Sequence, residues 1–138
     1  MKRTPDHHPL RGVTVLSLEV EGLTARGAIR VDEACPLFRG HFPGRPVLPG
    51  VAQIGIVVGL GAVAGWSPLS VAALRRLKFL GPVEPGVQLA FEITMDRPAG
   101  RLRFALREVE GGGLVSSGTL ALRERGAALG LPVTSPSP

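Results

Sequence analysis

Tyrosine and asparagine are absent from this chain, and cysteine and tryptophan each occur once. A site that needs a proton acceptor at neutral pH must therefore use a histidine, the cysteine or a carboxylate with a perturbed pKa. The histidines and the cysteine together provide only four candidates: His7, His8, His41 and Cys35. This scarcity narrows the search for a catalytic base before any motif is considered.

The single cysteine, Cys35, excludes an intrachain disulfide framework and a multi-cysteine zinc site. Residues 1–12 contain no apolar run of the kind that a secretory signal requires. These two observations predict a cytoplasmic protein. His7 and His8 are adjacent and have no third ligand at a suitable spacing, so no metal site is predicted, and Cys35 is expected to be a small buried residue.

Positive charge dominates the surface chemistry: the formal net charge is +5, from sixteen Lys and Arg against eleven Asp and Glu. Such a balance favours acidic partners through long-range steering. Nucleic acid is disfavoured, because no nucleic-acid motif is present and Phe79 is the only aromatic residue beside the basic stretch 75–78. An acidic carrier protein is the preferred class of partner.

The chain has 138 residues, of which 44% are hydrophobic, and this is enough for one domain with its own core. We predict a flexible N-terminus over 1–12, a single domain over 13–125 and a disordered tail over 126–138. Alternating and apolar patterns, punctuated by Gly and Pro, predict seven elements within the domain. The predicted strands are Val13–Val20, Leu23–Val31, Val71–Leu80, Val87–Asp96, Arg101–Val109 and Leu114–Arg123, and the predicted helix is Val51–Ala64. The first two strands are predicted to form a hairpin, and the last four to follow one another in antiparallel succession.

The helix Val51–Ala64 has no charged residue and only one polar side chain, Gln53. Such a helix is expected to be buried on every side. Gly55 and Gly59 have the GxxxG spacing of membrane helices, but the apolar stretch is shorter than the roughly 20 residues that a bilayer requires. A sheet that curls round the helix satisfies the pattern, so we predict an α+β protein with the hotdog fold, in which an antiparallel sheet of about six strands surrounds one central helix.

A Pro- and Gly-rich loop precedes this helix and contains His41. The flanking Gly40 and the nearby prolines restrict the backbone around the imidazole. The helix that follows begins at Pro49-Gly50-Val51, where the first amide N–H groups have no intrahelical partner and a positive partial charge. A base beside such donors suits proton abstraction next to a thioester carbonyl, although a histidine in a loop can also serve only to pack.

The loop resembles the signature of the FabZ-type 3-hydroxyacyl-ACP dehydratases. The resemblance is carried by Gly40-His41-Phe42-Pro43-Gly44-Arg45-Pro46, then by Leu48-Pro49-Gly50-Val51, and more weakly by the segment 78–86. The form Leu48-Pro49-Gly50-Val51-Ala52-Gln53 is most similar to the FabZ-like dehydratases of aryl-polyene and related pathways. The similarity extends over about residues 13–123.

This resemblance implies a hotdog dimer with active sites at the subunit interface, forming trans-2-enoyl thioesters from 3-hydroxyacyl thioesters without a cofactor. It implies that His41 is the catalytic base and that Gly50 and Val51 orient the thioester carbonyl. The acyl chain would lie in an apolar tunnel, with Phe42 and Leu48 as the first candidates for its lining. The substrate would be carried on the phosphopantetheine of an acyl carrier protein or of coenzyme A.

The resemblance also implies an acidic residue fourteen positions after the histidine, and this sequence has Gly55 there. Three interpretations follow. The preferred one is a heterodimer in which His41 meets a carboxylate of a different hotdog subunit. The second is a homodimer in which water, Gln53, Asp32 or Glu33 replaces the acid, and the third is a subunit that binds acyl thioesters without dehydrating them, or a thioesterase-like relative.

Five cations near the loop and the following strand are candidates for binding the acidic carrier protein and its phosphate group. Some or all of them could instead form a solvated basic face. These residues are Arg39, Arg45, Arg75, Arg76 and Lys78.

Overall fold

The computed structural model describes residues 10, 12–33, 35, 48–66 and 69–123. Most of the predicted N-terminal segment 1–12 and all of the predicted tail 126–138 lie outside these residues. His41 and most of its loop, 36–47, also lie outside them. The described part contains every predicted element.

The secondary structure comprises six strands and one helix. In chain order these are β1 (Val13–Glu21), β2 (Thr24–Val31), α1 (Gly50–Val63), β3 (Val71–Phe79), β4 (Gln88–Asp96), β5 (Arg101–Glu108) and β6 (Leu114–Leu122). Each predicted bound lies within one residue of the observed one, because Gly and Pro turns separate the periodic segments sharply. The fold prediction is confirmed.

The six strands form one antiparallel sheet in the order β1-β2-β4-β5-β6-β3. The predicted hairpin of β1 and β2 is present, with Glu21 paired to Thr24 across the turn. The expectation that the last four strands follow one another in antiparallel succession is wrong for β3. That strand pairs with β6, and β4 pairs with β2 and β5, so the connection after β3 passes β6 and β5 before the chain enters β4.

One face of the sheet packs against α1 and forms the core. Alternate residues of the central strands are fully or almost fully buried, as the period of two requires. These core residues are Leu89, Phe91 and Ile93 of β4, Leu102, Phe104 and Leu106 of β5, and Leu120 of β6. The helix contributes Ile54, Ile56, Val57 and Leu60 to the same cluster, and the residues between the core positions form the outer, solvent-facing side of the sheet.

The described residues include no helix of the length and apolarity needed to cross a bilayer.

Candidate active site

The N-terminus of α1 presents two backbone donors, the N–H groups of Gly50 and Val51. The N–H groups of Ala52 and Gln53 both bond to the carbonyl oxygen of Pro49, at 3.1 Å. No described residue accepts a hydrogen bond from the N–H of Gly50 or Val51, as expected for the first turn of a helix whose N-cap, Pro49, has no side-chain acceptor. The two amides therefore form a site of positive partial charge for an oxyanion or a polarised carbonyl.

Packing against β3 and a neighbouring loop fixes the position of this helix start. A Cβ added at Gly50 would lie 2.9 Å from Cζ of Phe79, so the aromatic ring packs directly on the backbone of the first helical residue. Immediately before the helix, the N–H of Leu48 bonds to the carbonyl oxygen of Val83 at 2.8 Å. Leu48 is only 1% exposed, so this tunnel candidate lies in the core, two residues before Gly50.

The first two turns of α1 have an open face, contrary to the prediction that the helix is buried all round. Val51 is 78% exposed, and Gly55, one turn later, is also exposed. The curled sheet of one chain covers only part of the helix circumference. A helix that is apolar on every side therefore keeps one apolar strip uncovered in the single chain.

Gly55 lies on this open face. A Cβ added there would meet no atom within 4 Å. Packing within the chain therefore does not require glycine at this position, and a longer side chain has space. The position that the resemblance assigns to the family's acid is thus exposed, accessible and without a side chain.

Gln53, the other polar candidate on the helix, is 3% exposed. Its side-chain Nε2 donates to the carbonyl oxygen of Leu48 at 3.4 Å, and its Oε1 is buried without a hydrogen-bond partner among the described residues. The amide thus connects the helix to the end of the preceding loop. A carboxamide is also a poor proton donor, so this residue is better suited to fixing the loop than to acid catalysis.

The carboxylate of Asp32 is engaged on the outer side of the sheet. The hydroxyl of Thr14 lies 3.0 and 3.1 Å from its two oxygens, and Nε of Arg30 donates to Oδ1 at 3.2 Å. Glu33, the adjacent candidate, approaches the turn at Gly86. The structure therefore does not bring Asp32 to the open face of α1, on the inner side of the sheet.

Three of the five predicted carrier-binding cations lie on β3. Arg75 pairs with Thr119 in the β3–β6 ladder and, with Arg76, lines a cleft of about 440 Å³ on the outer side of the sheet. The cleft also contains Arg101 and Arg103 of β5. Sequence reasoning missed these two residues, because their proximity to Arg75 depends on β3 pairing with β6.

Arg26 provides a contrast on the same outer side. It forms a 2.8 Å ion pair with Glu92, and this hydrogen bond, followed by the charge of Glu92, raises the pKa of its guanidinium above the ordinary value. Among the described residues, no carboxylate lies within ion-pair distance of Arg75, Arg76 or Lys78. The cations of β3 are therefore available to an external anion.

For the remaining candidate residues except Cys35, the predictions from the sequence stay predictions. His41, Phe42, Arg39, Arg45, His7 and His8 lie outside the described residues. Cys35 is buried, as expected, and packs against Gly12.

Comparisons with known proteins agree with this arrangement. Residues 17–119 match the family model ApeI-like, described as ApeI dehydratase. The chain is 33% identical over 133 residues to the 3-hydroxyacyl-[acyl-carrier-protein] dehydratase FabZ of Variovorax paradoxus (strain S110), and the match covers 87% of each protein. FabZ of Fusobacterium nucleatum is 35% identical over 104 residues, with 70% of this chain and 73% of the relative covered.

Solved structures show the same fold. A chain of the dehydratase heterocomplex ApeI:P from Xenorhabdus doucetiae superposes with a TM-score of 0.71 at 30% identity, covering 80% of this chain and 96% of that one. The dehydratase domain of PpsC from Mycobacterium tuberculosis shares the fold at a TM-score of 0.56 and 22% identity, over 86% of this chain and 45% of that one. Together with the hotdog sheet, these matches show that the chain belongs to the ApeI-like family of FabZ-type hotdog dehydratases.

Proposed function

We propose that this chain is the histidine-bearing subunit of a heterodimeric 3-hydroxyacyl-[acyl-carrier-protein] dehydratase that acts in fatty acid or polyketide and polyene biosynthesis. The observation that carries the proposal is Gly55, an exposed helix position with free space and no proton to donate. The relative from Xenorhabdus doucetiae, itself part of a dehydratase heterocomplex, supports a mixed dimer. A second hotdog subunit would supply the missing acid.

In the proposed reaction, His41 removes the α-proton of the thioester. The amides of Gly50 and Val51 bind the thioester carbonyl oxygen and stabilise the negative charge that develops on it. A carboxylic acid of the partner subunit donates its proton to the departing 3-hydroxyl group, which leaves as water. The electron pair of the broken C–H bond forms the trans-2 double bond, so the elimination is redox-neutral and needs no cofactor.

The substrate is proposed to arrive on an acyl carrier protein, since the FabZ relatives are named for carrier-bound substrates. The cations of β3, together with Arg39 and Arg45, would attract the acidic carrier and the phosphate of its phosphopantetheine. Phe42 and Leu48 would line the start of the acyl tunnel. We place the reaction in the cytoplasm, in keeping with the single cysteine.

The proposal is tested by mixing the purified chain with 3-hydroxyacyl-ACP, with and without a co-encoded hotdog subunit that has a carboxylate on its central helix. Enoyl product, measured by mass spectrometry, is expected only from the mixture. His41→Ala should lower its rate about 10²- to 10⁴-fold, because a general base contributes about that factor. Equal activity of the chain alone would contradict the composite site.

Gly55 offers a matched test in the single chain. Gly55→Glu restores an acid at a position with room for it, and Gly55→Gln adds the same volume without the proton. Enoyl formation by the glutamate variant alone, with none from the glutamine variant, would show that the chain carries the rest of the machinery.

The absence of an acid at Gly55 also favours a second function, a non-catalytic subunit that binds acyl thioesters or a thioesterase-like relative. Hydrolysis of the thioester without enoyl product, or binding without turnover in every mixture, would support that alternative.

A further inference from the structure

Among the described residues, no strand pairs with the edge of the sheet beside the candidate site. β3 bonds to β6 on one side only, and its other side is an end of the sheet. Three large apolar side chains at this edge are exposed: Leu74 by 46%, Phe79 by 45% and Leu80 by 60%. Phe79 also packs on Gly50 at the start of α1. The β3 edge is therefore continuous with the open helix face on which the composite site depends.

The middle of this edge strand carries a group of cations. Arg75, Arg76 and Lys78 are all exposed, and Arg101 and Arg103 on β5 add to the positive charge beside them. Within the described residues no carboxylate neutralises them. A long edge strand with a row of unsatisfied backbone groups is a template for another strand, and charges on the edge decide which strand it accepts.

A symmetric homodimer through this edge would bring like charges together. Two-fold symmetry places the same patch on both sides of the interface, so each β3 would face an antiparallel copy of itself. Arg75 is the central residue of Val71–Phe79, so antiparallel pairing about this centre places Arg75 opposite the same residue of the copy, with Arg76 one residue and Lys78 three residues away along each strand. Like charges directly opposite each other in a sheet are destabilising. An edge strand with carboxylates would meet the same cations favourably.

We propose that the β3 edge selects a second hotdog subunit whose facing strand is acidic and rejects a copy of this chain. This inference rests on the proposed heterodimer and names the chemistry of the partner. The repulsive element against self-pairing is as important as the attraction, because specificity is a difference between two affinities. The β3 cations that face the partner strand would then not also bind the carrier, which would be attracted by the remaining positive charge of the chain.

A charge-swap experiment provides the test, with a reversed copy of this chain as the probe. Arg75→Glu and Lys78→Glu are introduced together, and Arg76 is left unchanged because its φ of 54° makes it a strained position. Sedimentation velocity and native mass spectrometry compare the wild-type chain, the variant and their mixture. The mixed dimer is expected to bind at least tenfold more tightly than either homodimer. For the wild-type chain alone, raising the salt from about 0.1 M to about 1 M, which shortens the Debye length from about 10 Å to about 3 Å, should strengthen self-association.

A matched control has the same change in net charge away from the edge, Arg97→Glu with Arg107→Glu, and its mixture with the wild-type chain should show no preference. A neutral variant, Arg75→Gln with Lys78→Gln, should self-associate more tightly than the wild-type chain.

The proposal is overturned if the wild-type homodimer is as tight as the mixed dimer and insensitive to salt. It is also overturned if the control mixes equally well, or if the chain forms long oligomers by pairing β3 with the acidic β1 edge at Glu19 and Glu21. These experiments measure association and not catalysis. The proposed charge selection can therefore be confirmed even if the mixture forms no enoyl product.

Discussion

Gly27 and Gly55 differ in whether the surrounding structure leaves space for a side chain. A Cβ added at Gly27 on β2 would overlap the carbonyl oxygen of Ser17, at the irregularity in β1 between Val15 and Ser17. A Cβ added at Gly55 would meet nothing within 4 Å. The first glycine is required by the backbone of the neighbouring strand, whereas no contact with the described residues requires the second.

Alanine substitution should therefore have opposite effects at the two positions. Gly27→Ala should lower the free energy of unfolding by about 1–3 kcal/mol, the usual cost of overpacking. Gly55→Ala should raise it by up to about 1 kcal/mol, since alanine is the better helix former at a position without steric conflict. Denaturant titration of the isolated chain measures both. A loss of stability in Gly55→Ala would contradict the free space at that position.

At the scale of the element, α1 combines a buried side with an exposed apolar strip. Val57 is fully buried, whereas Val51 is 78% exposed. Because the two residues are of the same type and lie in the same helix, substituting each one separately measures the contribution of the core and that of the open face. This contrast provides a matched pair of variants.

Val51→Ser should change the free energy of unfolding of the isolated chain by less than about 0.5 kcal/mol, as exposed substitutions generally do. It should weaken binding of the partner subunit by about tenfold, since an apolar contact is lost from the interface. Val57→Ser should cost about 2 kcal/mol or more in stability, because it removes core packing and buries a hydroxyl group. Calorimetric titration and chemical denaturation distinguish the two. Unchanged partner affinity in the Val51 variant would place the interface elsewhere.

The elements were predictable because their patterns are local. Alternation in β4 and the turns around each strand define where the strands lie, and the uncharged segment 51–64 defines the helix. The pairing of β3 with β6 was not predictable, because alternation within a strand does not specify its neighbour. The open side of α1 was missed for a related reason: a helix that is apolar all round has no polar stripe to mark the solvent side. The sequence also did not predict that Arg101 and Arg103 lie near Arg75, because this proximity depends on the strand order.

At the scale of the whole molecule, a net charge of +5 is distributed unevenly. The first sheet edge carries Glu19 and Glu21, and the last carries the cations of β3. The start of α1 lies beside the last edge, through the contact of Phe79 with Gly50. The candidate site, the apolar strip and the positive charge therefore occupy one end of the sheet, and a single partner could cover all three.

The exposed Val51 has a consequence for the amount of this protein in a cell. A copy without its partner displays apolar surface continuously, and such surface favours aggregation and recognition by quality control. Expression of this chain with its partner subunit should therefore raise its steady-state soluble level several-fold over expression alone, as measured by quantitative immunoblotting. In Val51→Ser the difference should shrink. The helix face proposed to complete the catalytic site would then also set the half-life of each unpartnered copy, and production of the two proposed subunits would have to be matched.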